Sequence, residues 1–208
     1  MKSYSLHELD LKIIDLIGYE NGFFIEAGAN DGIRQSNTYL LEKDYGWTGL
    51  LVDPNPNMIK ECALNRPNSI VEHYALVSSN YKKKSIIGDF NGCLMSSVHD
   101  ENDWDNPFFH KQKTFKNLIS VPAITLTKLL QKHNASKVDF FSLDVEGYEI
   151  SVLNGLDFSI FRPKYILIET SNNFEIQEKI RNYMNKKQYN FLTALSGNDD
   201  LFIDSTNK

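Results

Sequence analysis

Apolar and polar positions along this chain switch repeatedly between helical spacing and short continuous apolar runs. Leu6, Leu9, Ile13, Leu16 and Ile17 recur at helical intervals, which predicts an amphipathic helix within residues 1–20. Residues 23–27 then form a compact apolar run, the signature of a buried strand. Ser36 or Asn37 is placed to cap a helix through Tyr45, and Gly46 to end it. Residues 49–53 predict a second strand. Asn55 caps a following helix with Pro56 in its first position, where the missing N–H costs nothing. Residues 69–74 predict a third strand.

The alternation resumes at Thr125, a cap for a helix carrying Leu126, Leu129 and Leu130. Residues 138–143 are a strongly apolar strand ending on Asp144, and a short helix through Leu153 closes at Gly155. Residues 164–169 predict another buried strand. Ile176, Ile180, Tyr183 and Met184 share one face of a helix over 174–187. Residues 189–195 and 201–204 flank Ser196-Gly-Asn-Asp199, which predicts a terminal hairpin.

Strands alternating with helices predict an α/β fold, a mainly parallel sheet covered on both faces and joined by right-handed crossovers. Ligands in such sheets bind outside the carboxyl ends of the strands. Glu26, Asp53, Asp144 and Glu169 all fall at or near those ends.

Residues 78–120 break the alternation. They hold Lys82-Lys-Lys84, which reads as a solvated turn, an acidic stretch over 100–105, and Trp104, Phe108, Phe109 and Phe115. Such an insertion is either a lid or substrate loop, or a set of extra short strands on the sheet edge.

At 208 residues the chain is long enough for one sizeable core, so a single domain over 1–208 is expected. A net charge of −5 argues against a general nucleic-acid binder. Cys62 and Cys93 make no disulfide framework and lack metal-ligand spacing, so buried free thiols are expected. With no signal-type apolar block and no run long enough to span a bilayer, the expectation is a soluble cytoplasmic protein.

The candidate chemistry lies in two segments. Gly22-Phe-Phe-Ile-Glu-Ala-Gly-Ala-Asn-Asp-Gly32 is a strand running into a turn of small and polar residues, and Leu50-Leu-Val-Asp-Pro-Asn-Pro56 is a strand ending in an acid. Asp53 follows Gly32 by 21 residues, the layout of a nucleoside-type site, where a carboxylate accepts bonds from both ribose hydroxyls. A dinucleotide fingerprint would need glycines at 28, 30 and 33, where this chain has Gly28, Asn30 and Ile33. A phosphate loop of Gly-Lys-Ser/Thr type is absent. A cofactor without phosphates suits this turn better.

Four stretches together resemble the FkbM-type methyltransferases, a branch of the class I S-adenosylmethionine-dependent enzymes. They are Phe24-Ile-Glu-Ala-Gly-Ala-Asn-Asp-Gly32; Ser36-Asn-Thr-Tyr-Leu-Leu-Glu42 with Gly46-Trp-Thr-Gly-Leu-Leu-Val-Asp-Pro-Asn-Pro56; Ile124-Thr-Leu126; and Val138-Asp-Phe-Phe-Ser-Leu-Asp-Val-Glu-Gly-Tyr-Glu149. The resemblance implies a Rossmann-like, seven-stranded sheet whose reversed last strand comes from the carboxyl-terminal hairpin. It implies S-adenosylmethionine as cofactor, and an oxygen on a glycan sugar or a small natural product as the methyl acceptor.

On this reading Gly28 and Gly32 let the first turn lie against the cofactor, with backbone N–H groups facing its methionine carboxylate. The resemblance makes Glu26 a contact near the cofactor's amino group, against the alternative of a carboxylate capping a neighbouring loop. Asn30 and Asp31 either order the turn through Asx bonds or touch the cofactor. Asp53 takes the ribose, against the alternative of a helix N-cap ahead of Pro54, and Ala75 and Leu76 pack either near the adenine or in the core. Asp144 touches the cofactor or orients the acceptor. Glu146 is either the base for the acceptor hydroxyl or a first-turn helix acid. Asp144 and Glu169 are a candidate oxygen pair for a divalent metal such as Mg²⁺. His73, His99 and His110 are further candidate bases. Two other classes stay open: an NAD-dependent enzyme on the same sheet, and a non-catalytic methyltransferase-like binding module.

Overall fold

A computed structural model describes residues 1–90, 97–98 and 118–206. The first elements are a 3₁₀ turn at Leu6–Glu8 and helix α1 at Leu9–Ile17. His7 and Glu8 stand at positive φ, so the expected single helix is broken there, and Gly18 ends α1 in the left-handed conformation. The buried Asp10 carboxylate ties this region together, accepting from Ser3 Oγ, Ser5 Oγ and the amides of Tyr4 and Leu11.

Strands β1 (Phe23–Ala27), β2 (Thr48–Asp53) and β3 (Ile70–His73) are separated by helices α2 (Tyr39–Tyr45) and α3 (Met58–Asn65). After a second group of short strands come α4 (Leu126–Lys132), β8 (Phe140–Leu143), α5 (Glu149–Leu153), β9 (Tyr165–Glu169), α6 (Phe174–Lys186), β10 (Tyr189–Ala194) and β11 (Asp199–Asp204). The caps are mostly those expected. Thr125 Oγ1 accepts from the Lys128 amide, and Gly46 closes α2 at φ 66°. Asn55 does accept the amides of Asn57 and Met58, but α3 begins two residues beyond Pro56.

The main sheet has seven strands in the order β10-β11-β9-β8-β1-β2-β3. All pairs are parallel except those of β11, which runs antiparallel to β9 and closes the hairpin with β10. Successive β1 residues feed opposite faces: Ile25 joins Leu50, Val52, Phe141 and Ile166, while Phe24 joins Leu51, Phe140 and Leu167. Burial on both faces is why these strands appear as unbroken apolar runs.

The second group is β4 (Ala75–Leu76), β5 (Ser85–Asp89), β6 (Ser97–Val98) and β7 (Leu118–Ile124), in the order β4-β7-β5-β6. Part of the 78–120 insertion is therefore a small antiparallel sheet: β5 pairs with β7 from Ser85↔Pro122 to Asp89↔Leu118. His99, His110, Cys93, the acidic stretch over 100–105 and the aromatics at 104–115 lie outside the described residues. No helix among the described residues is long and apolar enough to cross a membrane.

Candidate active site

Chain order in the main sheet reverses at β1, which has β2 on one side and β8 on the other. Register puts Ala27 beside Val52 and Leu143, so the loops after these strands leave the sheet at one edge. A cleft opens there, at the place where such a reversal leaves a crevice. Its walls come from the turn after β1 (Gly28, Asn30, Arg34, Gln35), the turn after β2 (Asp53, Asn55) and the loop after β8 (Asp144, Glu146, Tyr148). Tyr74, Ala75 and Leu76 close one end with Phe90, which follows β5.

Asp53 is 7% exposed and organises the junction of the first two turns. Its Oδ2 accepts the Asn30 amide at 2.9 Å and its Oδ1 the Asn55 amide at 2.7 Å. Burial pushes its carboxyl pKa up, and the two amides and the nearby His73 oppose that rise. A carboxylate has about four acceptor sites, so two amide bonds leave capacity for two hydroxyls. Ala75 and Leu76 are buried beside it and offer only apolar surface.

Gly28 lines the cleft at φ 86°, where a Cβ would run into the carbonyl of Asp144. Its N–H does not face the cleft as expected, because it donates to the Val52 carbonyl at 3.0 Å and knits β1 to β2. Gly32, at φ 81°, does not line the cleft; it packs on Cys62 and Arg66, and its N–H donates to the Ala29 carbonyl at 2.9 Å. Asn30 lines the cleft at φ 49°. Asp31 lies behind it and accepts the amides of Ile33 and Arg34 on one oxygen, an Asx-type turn.

Glu26 also lies behind the cleft and acts as a clamp on the loop into α2. It is 4% exposed and accepts from Ser36 Oγ (2.8 Å), the Asn37 amide (2.8 Å) and Thr38 Oγ1 (2.6 Å). The fully buried Arg66 pairs with it at 3.5 Å and with Glu42 at 2.8 Å, and donates to the carbonyl of Gly32. With these partners, Glu26 is held as a loop-capping carboxylate. Arg66 left no trace in the sequence pattern, since an arginine ending an amphipathic helix ordinarily projects into solvent.

Asp144 is an exposed residue on the wall of the cleft. Burial and the adjacent Glu169, to which it hydrogen-bonds, hold its pKa well above the ordinary range. Burial, with Glu146, Glu149 and Asp199 nearby, raises Glu169 to about 7. Two carboxyls that hydrogen-bond to each other must hold a proton between them, so they titrate as a pair. That arrangement uses oxygens a cation would need, and no three His, Cys, Asp or Glu side chains among the described residues are grouped to hold a metal.

Glu146 lines the cleft at φ 56°, a conformation costly for a side chain of its size. The loop is held by Glu149, whose Oε1 accepts the amides of Val145 (3.2 Å) and Gly147 (3.0 Å). Glu149 is fully enclosed, and burial lifts its pKa to about 7. It belongs to the Asp-Val-Glu-Gly-Tyr-Glu149 stretch, which was the available signal for it. His73 does not line the cleft; its Nε2 meets the Pro54 carbonyl at 2.9 Å. Burial raises the Cys62 thiol to about 12, which makes it inert.

The model of the methyltransferase FkbM domain matches residues 26–191 of this chain. The chain belongs to the FkbM methyltransferase family. The match spans β1 through β10 and so includes every wall of the cleft. Among solved structures, this FkbM-family chain is similar to a candidate RNA methyltransferase from Pyrococcus horikoshii. The TM-score is 0.52 at 11% identity, covering 97% of this chain and 82% of the other. It is also similar to a chain of a fibrillarin/Nop5p complex, with a TM-score of 0.50 at 10% identity, covering 95% and 79%. At such identities the likeness concerns the fold, a class I methyltransferase sheet. No curated protein matches the sequence.

Proposed function

We propose that this FkbM-family chain binds S-adenosylmethionine in the cleft and transfers its methyl group to an oxygen, with a sugar hydroxyl on a glycan or a natural product as acceptor. The observation that carries the cofactor reading is Asp53: a carboxylate at the end of β2, fixed by two amides, with acceptor capacity to spare beside the apolar Ala75 and Leu76. These residues fit a nucleoside without phosphates. Bound S-adenosylmethionine supplies an activated methyl on sulfur.

The chain's own contribution is placement and proton uptake. Glu146, on the loop that Glu149 holds, would accept the acceptor's hydroxyl proton as the methyl carbon exchanges its bond to the cofactor sulfur for one to that oxygen. Asp144, beside Glu169 at the end of β8, orients the acceptor. Holding the acceptor in line with the methyl group supplies several kcal/mol of the barrier.

The test is thermal stability with S-adenosylmethionine, S-adenosylhomocysteine and NAD titrated separately. A hundredfold excess over the dissociation constant stabilises by about 2.7 kcal/mol. Stabilisation by the two sulfur compounds alone supports the reading. Stabilisation by NAD alone overturns it, and no response to any of the three points to a binding module.

A further inference from the structure

On the cofactor reading, one charged group of S-adenosylmethionine has no partner yet, its methionine carboxylate. Anions at such sites ordinarily meet backbone N–H groups of the glycine turn or of the following helix start. Here most of those N–H groups are already committed, the backbone amide of Gln35 excepted. In the turn, Gly28 and Ala29 donate to the Val52 carbonyl, Asn30 to Asp53, Gly32 to the Ala29 carbonyl, and Ile33 and Arg34 to Asp31. From Gly28 to Arg34 only the Asp31 amide has no partner among the described residues, and Asp31 does not line the cleft. At the start of α2 the Asn37 amide is taken by Glu26, and those of Thr38 and Tyr39 by Ser36 Oγ. Across the cleft, Val145 and Gly147 are committed to Glu149.

Beside the Gln35 backbone amide, side chains supply the carboxylate's other partners. The carboxyl and guanidinium groups lining the cleft among the described residues belong to Asp53, Asp144, Glu146 and Arg34, and an acidic wall does not attract an anion. Arg34 stands exposed at the mouth of the cleft and makes no salt bridge with the described residues. Its backbone is fixed by the 2.7 Å bond to Asp31, so the side chain starts from a defined point. A guanidinium can grip a carboxylate with two parallel bonds, whereas the amide of neighbouring Gln35 is neutral and binds more weakly.

We propose that Arg34 is the residue that receives the methionine carboxylate of the cofactor. The acidic walls then match the hydroxyls, ammonium and sulfonium, and Arg34, the one lysine or arginine lining the cleft among the described residues, matches the anion. This assignment rests on the cofactor reading above.

The test compares two ligands by calorimetric titration into the whole chain: S-adenosylhomocysteine, and 5′-methylthioadenosine, which keeps the nucleoside and lacks the amino-acid end. Arg34→Ala is expected to weaken S-adenosylhomocysteine about tenfold and leave 5′-methylthioadenosine unchanged, with Arg34→Lys in between. An unchanged affinity for S-adenosylhomocysteine in Arg34→Ala overturns the assignment. So does a parallel loss of both ligands, which would mark a general effect on the turn. A wild-type protein that binds neither ligand overturns the cofactor reading itself, and the assignment with it.

Discussion

The carbonyl oxygen of Asp144 occupies the space that a side chain on Gly28 would need. β1 and β8 therefore leave the sheet in contact at the floor of the cleft, and the residue at 28 must be both bare and left-handed. Gly28→Ala has to push back the backbone of the β8 loop and adopt a strained φ. A loss of about 3 kcal/mol is expected by urea unfolding, from a left-handed penalty of roughly 1–2 kcal/mol and overpacking of similar size.

Arg66 is fully buried between Glu26 and Glu42. Arg66→Met keeps the apolar stem but leaves two buried carboxylates without their cation. Breaking such a pair costs about 3–5 kcal/mol, to be read by urea unfolding. Adding Glu26→Gln to Arg66→Met is expected to recover part of that loss. A double variant no more stable than Arg66→Met alone would show that the ion pair is not the source.

Asp53→Ala removes the acceptors proposed for the ribose and frees the amides of Asn30 and Asn55. Titration with S-adenosylhomocysteine is expected to show a loss of about ten- to hundredfold, the range for hydrogen bonds to a charged group. Circular dichroism should show the folded state retained.

Glu149 links stability to pH. Its folded pKa of about 7 exceeds the reference value of 4.5, so the folded state binds the proton more tightly than the unfolded chain does. Stability from this group is fully present below about pH 4.5, falls as pH rises to about 7, and is flat above. The shift corresponds to about 3 kcal/mol. Glu149→Gln keeps the Oε1 that accepts both amides and removes the titration. The difference between wild-type and variant stability across pH 4–8 should show that slope; a constant difference would sink the idea.

Glu146→Gln is expected to lower turnover about a hundredfold while cofactor affinity changes little, as for loss of a base. Steady-state kinetics beside titration separates the two. An equal fall in both would assign Glu146 to binding.

Much of this arrangement was legible in the chain. Strands β1, β2, β8 and β9 show as apolar runs because both of their faces are covered, and β1 matches its expected bounds residue for residue. Asp53 and Asp144 fall at strand ends that one sheet edge gathers together, so their common location followed from the alternation alone. The small sheet showed only as one of two alternatives for residues 78–120, because strands as short as Ala75–Leu76 carry no period and β7 is half exposed along its length.

Sequence alone determined the architecture and the edge that carries the cleft, since burial on two faces and βα alternation are local properties of a polymer pattern. Tertiary structure decided which polar groups at that edge are free to meet a ligand. Hydrogen-bond capacity is shared among residues distant in the chain: Arg66 and the Ser36–Asn37–Thr38 segment absorb Glu26, and Val52, Ala29 and Asp53 absorb the glycine-turn amides. Motif spacing names the donors and acceptors, but only the packed fold decides which of them are already satisfied and which, like Asp53 and Arg34, line the cleft.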